Sequence, residues 1–194
     1  MPRHLKFYYG PMGAGKTAEL LNAVEQFQEL SFKFLVIKPS IDTRSHSVLS
    51  RDGRSTPAIP LKPMSKIKEH IKSKLDFILI DEAQFLSVEQ IEEARSLTLE
   101  YSVGIIMFCL LTDYRGLLFP SSQRLIEVSD EITQIQGNCS ECRRYLAIIN
   151  SKFRMDGDKI ITIADGSEVI DVGGDDKYRS LCWGCWQKSK DALK

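Results

Sequence analysis

The sequence lacks both an excess of charge and a long hydrophobic segment, and each absence narrows its function. Its 26 basic side chains are balanced by 26 acidic ones, so the formal net charge is zero. Proteins that hold nucleic acid mainly through phosphate contacts carry a basic excess, so that class is disfavoured. The longest apolar run, residues 103–111, is far too short to span a bilayer. Residues 1–4 contain no apolar leader, and we expect a cytoplasmic protein without nucleic-acid or membrane partners.

Cysteine is also sparse, but four of the five cysteines form a pattern. They make two C-x-x-C pairs, each able to present two thiolates to one metal ion, and two such pairs close a tetrahedral structural Zn²⁺ site. A redox role for either pair is the alternative. The fifth, Cys109, lies in an apolar run and is interpreted as a small buried side chain. The predicted zinc ligands are Cys139, Cys142, Cys182 and Cys185.

Glycine is concentrated near the start of the chain, where residues 10–17 read GPMGAGKT. This fills the phosphate-loop pattern G-x-x-x-x-G-K-[ST], in which backbone N–H groups and a lysine bind nucleotide phosphates and a hydroxyl meets Mg²⁺. An apolar run at 5–9 precedes it and helical spacing follows it, which is the expected context. A chance match in a glycine-rich turn is the alternative. The predicted phosphate-binding residues are Gly10, Pro11, Met12, Gly13, Ala14, Gly15, Lys16 and Thr17.

A second acidic motif follows the apolar run at residues 77–80. Asp81 ends that run and is predicted to hold Mg²⁺, and Glu82 is the candidate general base. A helix N-cap cluster is the alternative for this pair. Asp42 and Arg44 follow an earlier strand, so they face either the phosphates or solvent.

Strand and helix patterns alternate along the first two thirds of the chain, which predicts an α/β fold with a parallel sheet. Strands are expected at 32–37, 103–110 and 131–136, and Ser87 to Gln90 form a capping box that opens a helix. Residues 65–75 have helical spacing, and 45–63 read as a long loop with a short hairpin at Asp52-Gly53. Tyr114 is interpreted as core or as the wall of a ligand pocket. Between the cysteine pairs, strands are expected at 145–150 and 159–163.

Several motifs in this order resemble the zinc-containing thymidine kinases of the bacterial, viral and vertebrate cytosolic type. They are GPMGAGKT at 10–17, KPSIDTR at 38–44, SRDG at 50–53, IDEAQFL at 80–86, TDYRGLLF at 112–119, the cysteine pairs and VGGDDKY at 172–178. The resemblance implies a RecA-like domain over residues 1–137 and a zinc-ribbon lasso domain over 138–194. It implies transfer of the γ-phosphate of ATP to the 5′-hydroxyl of thymidine, which yields dTMP.

The resemblance also assigns roles to individual residues. Glu82 matches the catalytic base, and Tyr114 matches an aromatic residue that packs on the thymine. The family is typically a homotetramer that dTTP inhibits. Further nucleotide contacts are implied at Asp42, Thr43, Arg44, Asp81, Glu82, Ala83 and Gln84, and nucleoside contacts at Val169, Ile170, Asp171, Val172, Gly173 and Tyr178.

Some positions depart from the family pattern. Gly13-Ala14 replaces a bulky residue or asparagine followed by alanine or serine. Leu111 stands where many bacterial members carry arginine, and Asp171 occupies a position that is more often apolar or small. An altered nucleoside preference and a member that has lost activity therefore stay open. A RecA-like ATPase stimulated by nucleic acid is the alternative from another class.

Overall fold

The computed structural model describes residues 4–40, 47–157, 159–163 and 176–191. The strands, in chain order, are β1 Leu5–Tyr9, β2 Phe34–Pro39, β3 Ser47–Leu49, β4 Ser55–Pro57, β5 Ile59–Leu61, β6 Phe77–Ile80, β7 Gly104–Cys109, β8 Glu131–Gln134, β9 Ile149–Asp156, β10 Lys159–Thr162 and β11 Tyr178–Leu181. The helices are α1 Lys16–Glu29, α2 Val88–Glu100, α3 Pro120–Val128 and α4 Trp183–Asp191.

A six-stranded sheet in the order β5-β2-β6-β7-β1-β8 organises the first two thirds of the chain. Every strand pairing in it is parallel. One strand, β7, separates β1 from β6, which is the RecA-like arrangement. Because the strands are parallel, the residues that follow β1 and β6 lie at the same edge of the sheet. The predicted α/β fold with a parallel sheet is confirmed.

Apolar side chains cover both faces of this sheet, as the continuous apolar runs predict. Along β6, Ile78 and Ile80 belong to one buried cluster, and Leu79 belongs to the other. The first cluster includes Ile91 of α2 and Leu125 of α3, whereas the second includes residues of α1. The result is a three-layer arrangement, in which α1 covers one face and α2 and α3 cover the other.

Two local predictions are confirmed. Strands β3 and β4 pair as a hairpin around Asp52-Gly53, where Gly53 has a φ of 89°. In the capping box, Ser87 Oγ accepts from the Gln90 N–H at 3.2 Å, and Gln90 Oε1 accepts from the Ser87 N–H at 3.1 Å. Both features depend on residues a few positions apart, so the sequence pattern is sufficient to find them.

The helix expected at residues 65–75 is wrong. Only a short 3-10 turn forms there, over Ile67–His70. The Glu93 carboxylate of α2 accepts from the N–H groups of Ile67 and Lys68 at 2.9 and 3.2 Å. Ile71 follows this turn, and its side chain packs against the first core cluster although the segment is not helical. The apolar side chains at helical spacing therefore reach the core from an irregular segment, which Glu93 of α2 holds in place.

The second sheet is antiparallel, in the order β10-β9-β11, and packs with α4. The strand expected at 145–150 begins only at Ile149 and runs to Asp156; before it, Leu146 makes an isolated bridge with Asn138. The small core here contains Cys139, Cys182, Ile149, Leu181 and Trp186. In the part of the chain that the structure describes, no helix is both long and apolar enough to cross a membrane.

Candidate active site

The phosphate loop connects β1 to α1 and is confined by the residues after β8. A side chain at Gly10 would place its Cβ 2.3 Å from the carbonyl oxygen of Ile135. Gly15 stands just before α1 with a φ of 95°. Glycine is required at both positions, for close approach at the first and for a left-handed backbone at the second.

Lys16 is buried and is held by the loop's own backbone. Its Nζ donates to the carbonyl oxygens of Gly10 and Pro11 at 3.0 and 2.9 Å. Burial lowers the pKa of the ammonium group, and the nearby carboxylates of Glu82 and Asp81 oppose that shift. A cation in this environment lacks full solvation, so anionic oxygens are favourable partners for it.

Thr17 and Asp81 meet across the sheet edge. Thr17 Oγ1 lies 3.4 Å from Asp81 Oδ2, to which it donates. Burial, followed by the charge of Glu82, raises the pKa of Asp81 to about 7. A hydroxyl and a buried carboxylate are the hard oxygen donors that Mg²⁺ takes in phosphate-binding sites. Two oxygen donors at 3.4 Å from one another, beside a loop of the phosphate-binding pattern, fit such a cation.

Glu82 is held in an uncommon backbone conformation. Its φ and ψ are 52° and 38°, in the left-handed region that residues with a side chain rarely occupy. Its carboxylate accepts a hydrogen bond from Gln84 Nε2, and Gln84 Oε1 accepts in turn from the Leu110 N–H at 3.0 Å. In the described residues, Glu82 makes no side-chain cap to the 3-10 turn Ala83–Phe85. The N-cap interpretation of Glu82 is therefore not supported, and the carboxylate is positioned for another role.

The predicted zinc ligands converge. The Sγ atoms of Cys139, Cys142, Cys182 and Cys185 all lie within 4.8 Å of one another. Cys142 and Cys182 Sγ are 3.8 Å apart, and a Zn–S distance of about 2.3 Å gives tetrahedral edges of about 3.8 Å. Burial opposes ionisation of Cys139, but N–H groups of Cys182, Cys142 and Glu141 outweigh it and lower its pKa to about 6. Burial and the neighbouring cysteines raise the pKa of Cys185 to about 12, so the support for structural zinc is the geometry of the four sulfur atoms.

Lys152 of the second sheet contacts one predicted nucleoside residue and pairs across strands with another. Tyr114 is buried, and Lys152 Nζ lies 5.4 Å from the centre of its ring. Lys152 on β9 is the direct cross-strand partner of Tyr178 on β11. The loop that carries Tyr114 is stabilised by Asp113, whose Oδ1 accepts from the N–H groups of Arg115 and Leu117 at 2.9 and 3.1 Å.

The remaining predicted contacts lie outside the described residues: Asp42, Thr43, Arg44, Val169, Ile170, Asp171, Val172 and Gly173.

Sequence reasoning gave Arg51 no role, although the SRDG motif contains it. This arginine lies in the hairpin between β3 and β4, and its Nη1 would be 3.0 Å from a Cβ at Gly13. Its positive charge contributes to the lowered pKa of Lys16. Arg51 therefore adds a cation beside the phosphate loop, which only the folded hairpin reveals.

A family model described as thymidine kinase matches residues 3–186. A thymidine kinase of Legionella pneumophila strain Paris is 34% identical over 186 residues, covering 92% of this chain and 86% of the relative. One from Photorhabdus laumondii is 35% identical over 185 residues, covering 92% of this chain and 89% of the relative. A thymidine kinase of enterobacteria phage T4 is 32% identical over 191 residues, covering 95% of each chain.

Proposed function

The chain belongs to the thymidine kinase family, and we propose that its phosphate loop, Asp81 and Glu82 transfer the γ-phosphate of ATP to the 5′-hydroxyl of thymidine. It phosphorylates thymidine, and the products of the proposed transfer are dTMP and ADP. The observation that carries the site assignment is the meeting of Thr17 with the buried Asp81 next to Glu82 at one sheet edge. A nucleotide phosphate and the hydroxyl that accepts it can both bind at that edge of the sheet.

The donor half of the site is proposed as follows. N–H groups of residues 10–17 and the Lys16 ammonium bind the triphosphate, and Arg44 adds positive charge near the γ-phosphate. Asp42, Thr43, Ala83 and Gln84 complete the nucleotide contacts. Thr17 and Asp81 would hold Mg²⁺, which neutralises phosphate charge when bound.

The acceptor half uses Glu82 as the general base. The thymidine 5′-oxygen bonds to the γ-phosphorus, the bond from that phosphorus to the β,γ-bridging oxygen breaks, and ADP leaves. Glu82 takes the proton of the 5′-hydroxyl. Gln84 supports this role because its amide holds the Glu82 carboxylate in place.

Thymidine itself is proposed to lie against Tyr114 and Tyr178. Tyr114 packs on the base, and backbone groups of the lasso hold the nucleoside. The contact of Lys152 with the Tyr114 ring and its cross-strand pairing with Tyr178 support this placement. The cysteine cluster binds structural zinc and sets the ends of the lasso. The lasso residues with this role are Val169, Ile170, Asp171, Val172 and Gly173.

We further propose a cytoplasmic homotetramer that dTTP inhibits, on the family resemblance. Exposed apolar side chains beside the cysteine cluster supply a candidate subunit contact; Trp183 is 54% exposed and Ile148 47%. Light scattering coupled to size exclusion measures the subunit number. Initial rates with and without dTTP measure inhibition.

Product analysis with Mg-ATP and a panel of deoxynucleosides tests the function. Thymidine is expected to give dTMP with the highest kcat/KM, and Lys16→Ala should abolish the reaction. Faster turnover of another nucleoside would assign a different preference. ATP hydrolysis that DNA stimulates, without any nucleoside phosphorylation, would contradict the kinase assignment.

A further inference from the structure

Two side chains of the second sheet, β10-β9-β11, hold the middle of the phosphate loop. Asn150 Oδ1 accepts from the Met12 N–H at 2.7 Å, and Ser180 Oγ donates to the Met12 carbonyl oxygen at 2.7 Å. Asn150 on β9 and Ser180 on β11 are direct cross-strand partners. One pair of neighbouring side chains therefore binds both polar groups of one loop residue.

Asn150 acts on the peptide unit that joins Pro11 to Met12. The N–H of this unit donates to Asn150, and its carbonyl oxygen accepts from Lys16 Nζ at 2.9 Å and from the Ala14 N–H at 3.2 Å. A peptide unit is planar, so fixing its N–H also fixes the direction of its carbonyl. Asn150 is 4% exposed, and a buried hydrogen bond of this kind is costly to break. Asn150 thereby orients one of the two carbonyl oxygens that hold Lys16.

Ser180 acts on the next peptide unit, which joins Met12 to Gly13. Its carbonyl oxygen is bound by Ser180, and its other end is the Gly13 N–H, one of the proposed phosphate-binding donors. Gly13 has a φ of 73° and no side chain, so its backbone rotates easily unless a neighbour restrains it. The Ser180 hydrogen bond supplies that restraint.

The same strand pair is tied to the cysteine cluster. The N–H of Ser140, which lies between Cys139 and Cys142, donates to the Ser180 carbonyl oxygen at 2.8 Å. The Leu181 carbonyl oxygen, next to Cys182, accepts from the Ile148 N–H at 2.9 Å. The first cysteine pair is therefore hydrogen-bonded to the residue that contacts Met12, and the second pair begins two positions after that residue.

We propose that Asn150 and Ser180 are positioning residues that hold the phosphate loop in its ATP-binding shape, and that the zinc cluster supports them. The inference rests on the proposed function, in which this loop binds ATP. The second sheet then helps to position ATP as well as the nucleoside. A preorganised loop binds its ligand without first losing conformational freedom, so removal of these contacts weakens ATP binding.

The test uses the full-length zinc-loaded enzyme and the variants Asn150→Ala, Ser180→Ala and Ser180→Thr. Ser189→Ala is the matched control, because the Ser189 hydroxyl also donates to a backbone carbonyl at 2.7 Å, that of Trp186, but outside the phosphate loop. Loss of one hydrogen bond predicts a rise in KM for ATP of about 3- to 10-fold for each alanine variant. KM for thymidine should stay within about 2-fold of wild type, and Ser180→Thr, which keeps the hydroxyl, should restore ATP affinity.

Direct titration with a non-hydrolysable ATP analogue should give the same order of affinities, and melting temperature and zinc content report folding. If Asn150→Ala does not fold, the Ser180→Ala and Ser180→Thr pair decides. ATP affinity in Ser180→Ala equal to that in Ser189→Ala overturns the proposal, as does an equal rise in KM for both substrates. If instead wild type binds the analogue no better than Lys16→Ala does, the proposed function of the loop fails.

Discussion

The parallel sheet and the second sheet, β10-β9-β11, differ in how much apolar core stabilises them. In the described residues, the parallel sheet is enclosed by two large apolar clusters, to which helices contribute on both faces. The core of the second sheet is small, and two of its buried residues are cysteines of the proposed zinc site. Units with so small a core commonly need a metal or disulfides to fold, and we expect zinc to have that role here. The two regions should therefore respond differently to the same kind of damage.

The largest effect is expected from removal of a zinc ligand. Cys182→Ser should prevent stable zinc binding and unfold the second sheet, because structural zinc supplies most of the folding free energy of such units. Thymidine phosphorylation should be lost. Zinc content and far-UV circular dichroism measure the outcome, with Cys109→Ser as the thiol control outside the cluster. A variant that keeps thymidine binding without zinc would remove the distinction between the two sheets.

Substitution of the proposed base comes next. Glu82→Gln should lower kcat by about 10²- to 10⁴-fold, the usual contribution of a general base. Binding of ATP should change little, because the carboxylate is assigned to proton transfer and not to the phosphates. Single-turnover kinetics and nucleotide titration separate these quantities. A phosphorylation rate near that of wild type would refute the assignment of Glu82. It would not bear on the predictions for the second sheet.

A pH-dependent effect is expected in the parallel sheet. The pKa of Asp81 is raised from 3.8 to about 7, so the folded state binds this proton more tightly than the unfolded chain does. The stability from this group is full below pH 3.8 and is lost as the pH rises through about 7. Asp81→Asn should remove that loss, by at most about 1.4 kcal/mol per pH unit.

Urea unfolding of the nucleotide-free protein between pH 5 and 8 measures the difference between wild type and Asp81→Asn. The variant should gain relative stability as the pH rises. A constant difference across this range would show that Asp81 ionises normally.

The smallest effect is expected at the capping box of α2. Ser87→Ala removes one cap hydrogen bond and should cost about 1 kcal/mol of unfolding free energy without changing zinc affinity. Ser96→Ala, within the same helix, is the control and should have a smaller effect. Chemical denaturation measures both. A loss of zinc from Ser87→Ala would indicate that the two regions unfold as one unit.

Sequence separation explains which features could be predicted. The phosphate loop and the Ser87 cap are local patterns, so neighbouring residues suffice to find them. Asn150 and Ser180 lie 138 and 168 positions from Met12, and neither residue type signals a loop contact. The failed helix at 65–75 has the same origin, because Glu93 of α2 controls that segment. These features depend on hydrogen bonds between residues that are distant in sequence, which local patterns do not reveal.

The contacts at Met12 also limit how this protein can be divided. Residues 1–137 include the whole parallel sheet and its apolar core, so on packing alone they would pass for an independent unit. A cut at residue 137 would replace the two hydrogen-bond partners of Met12, Asn150 and Ser180, with water. We therefore expect the isolated fragment to fold and yet to bind nucleotide poorly. A chimera with a foreign metal-binding module would succeed only if that module offered an acceptor and a hydroxyl donor at the same two places.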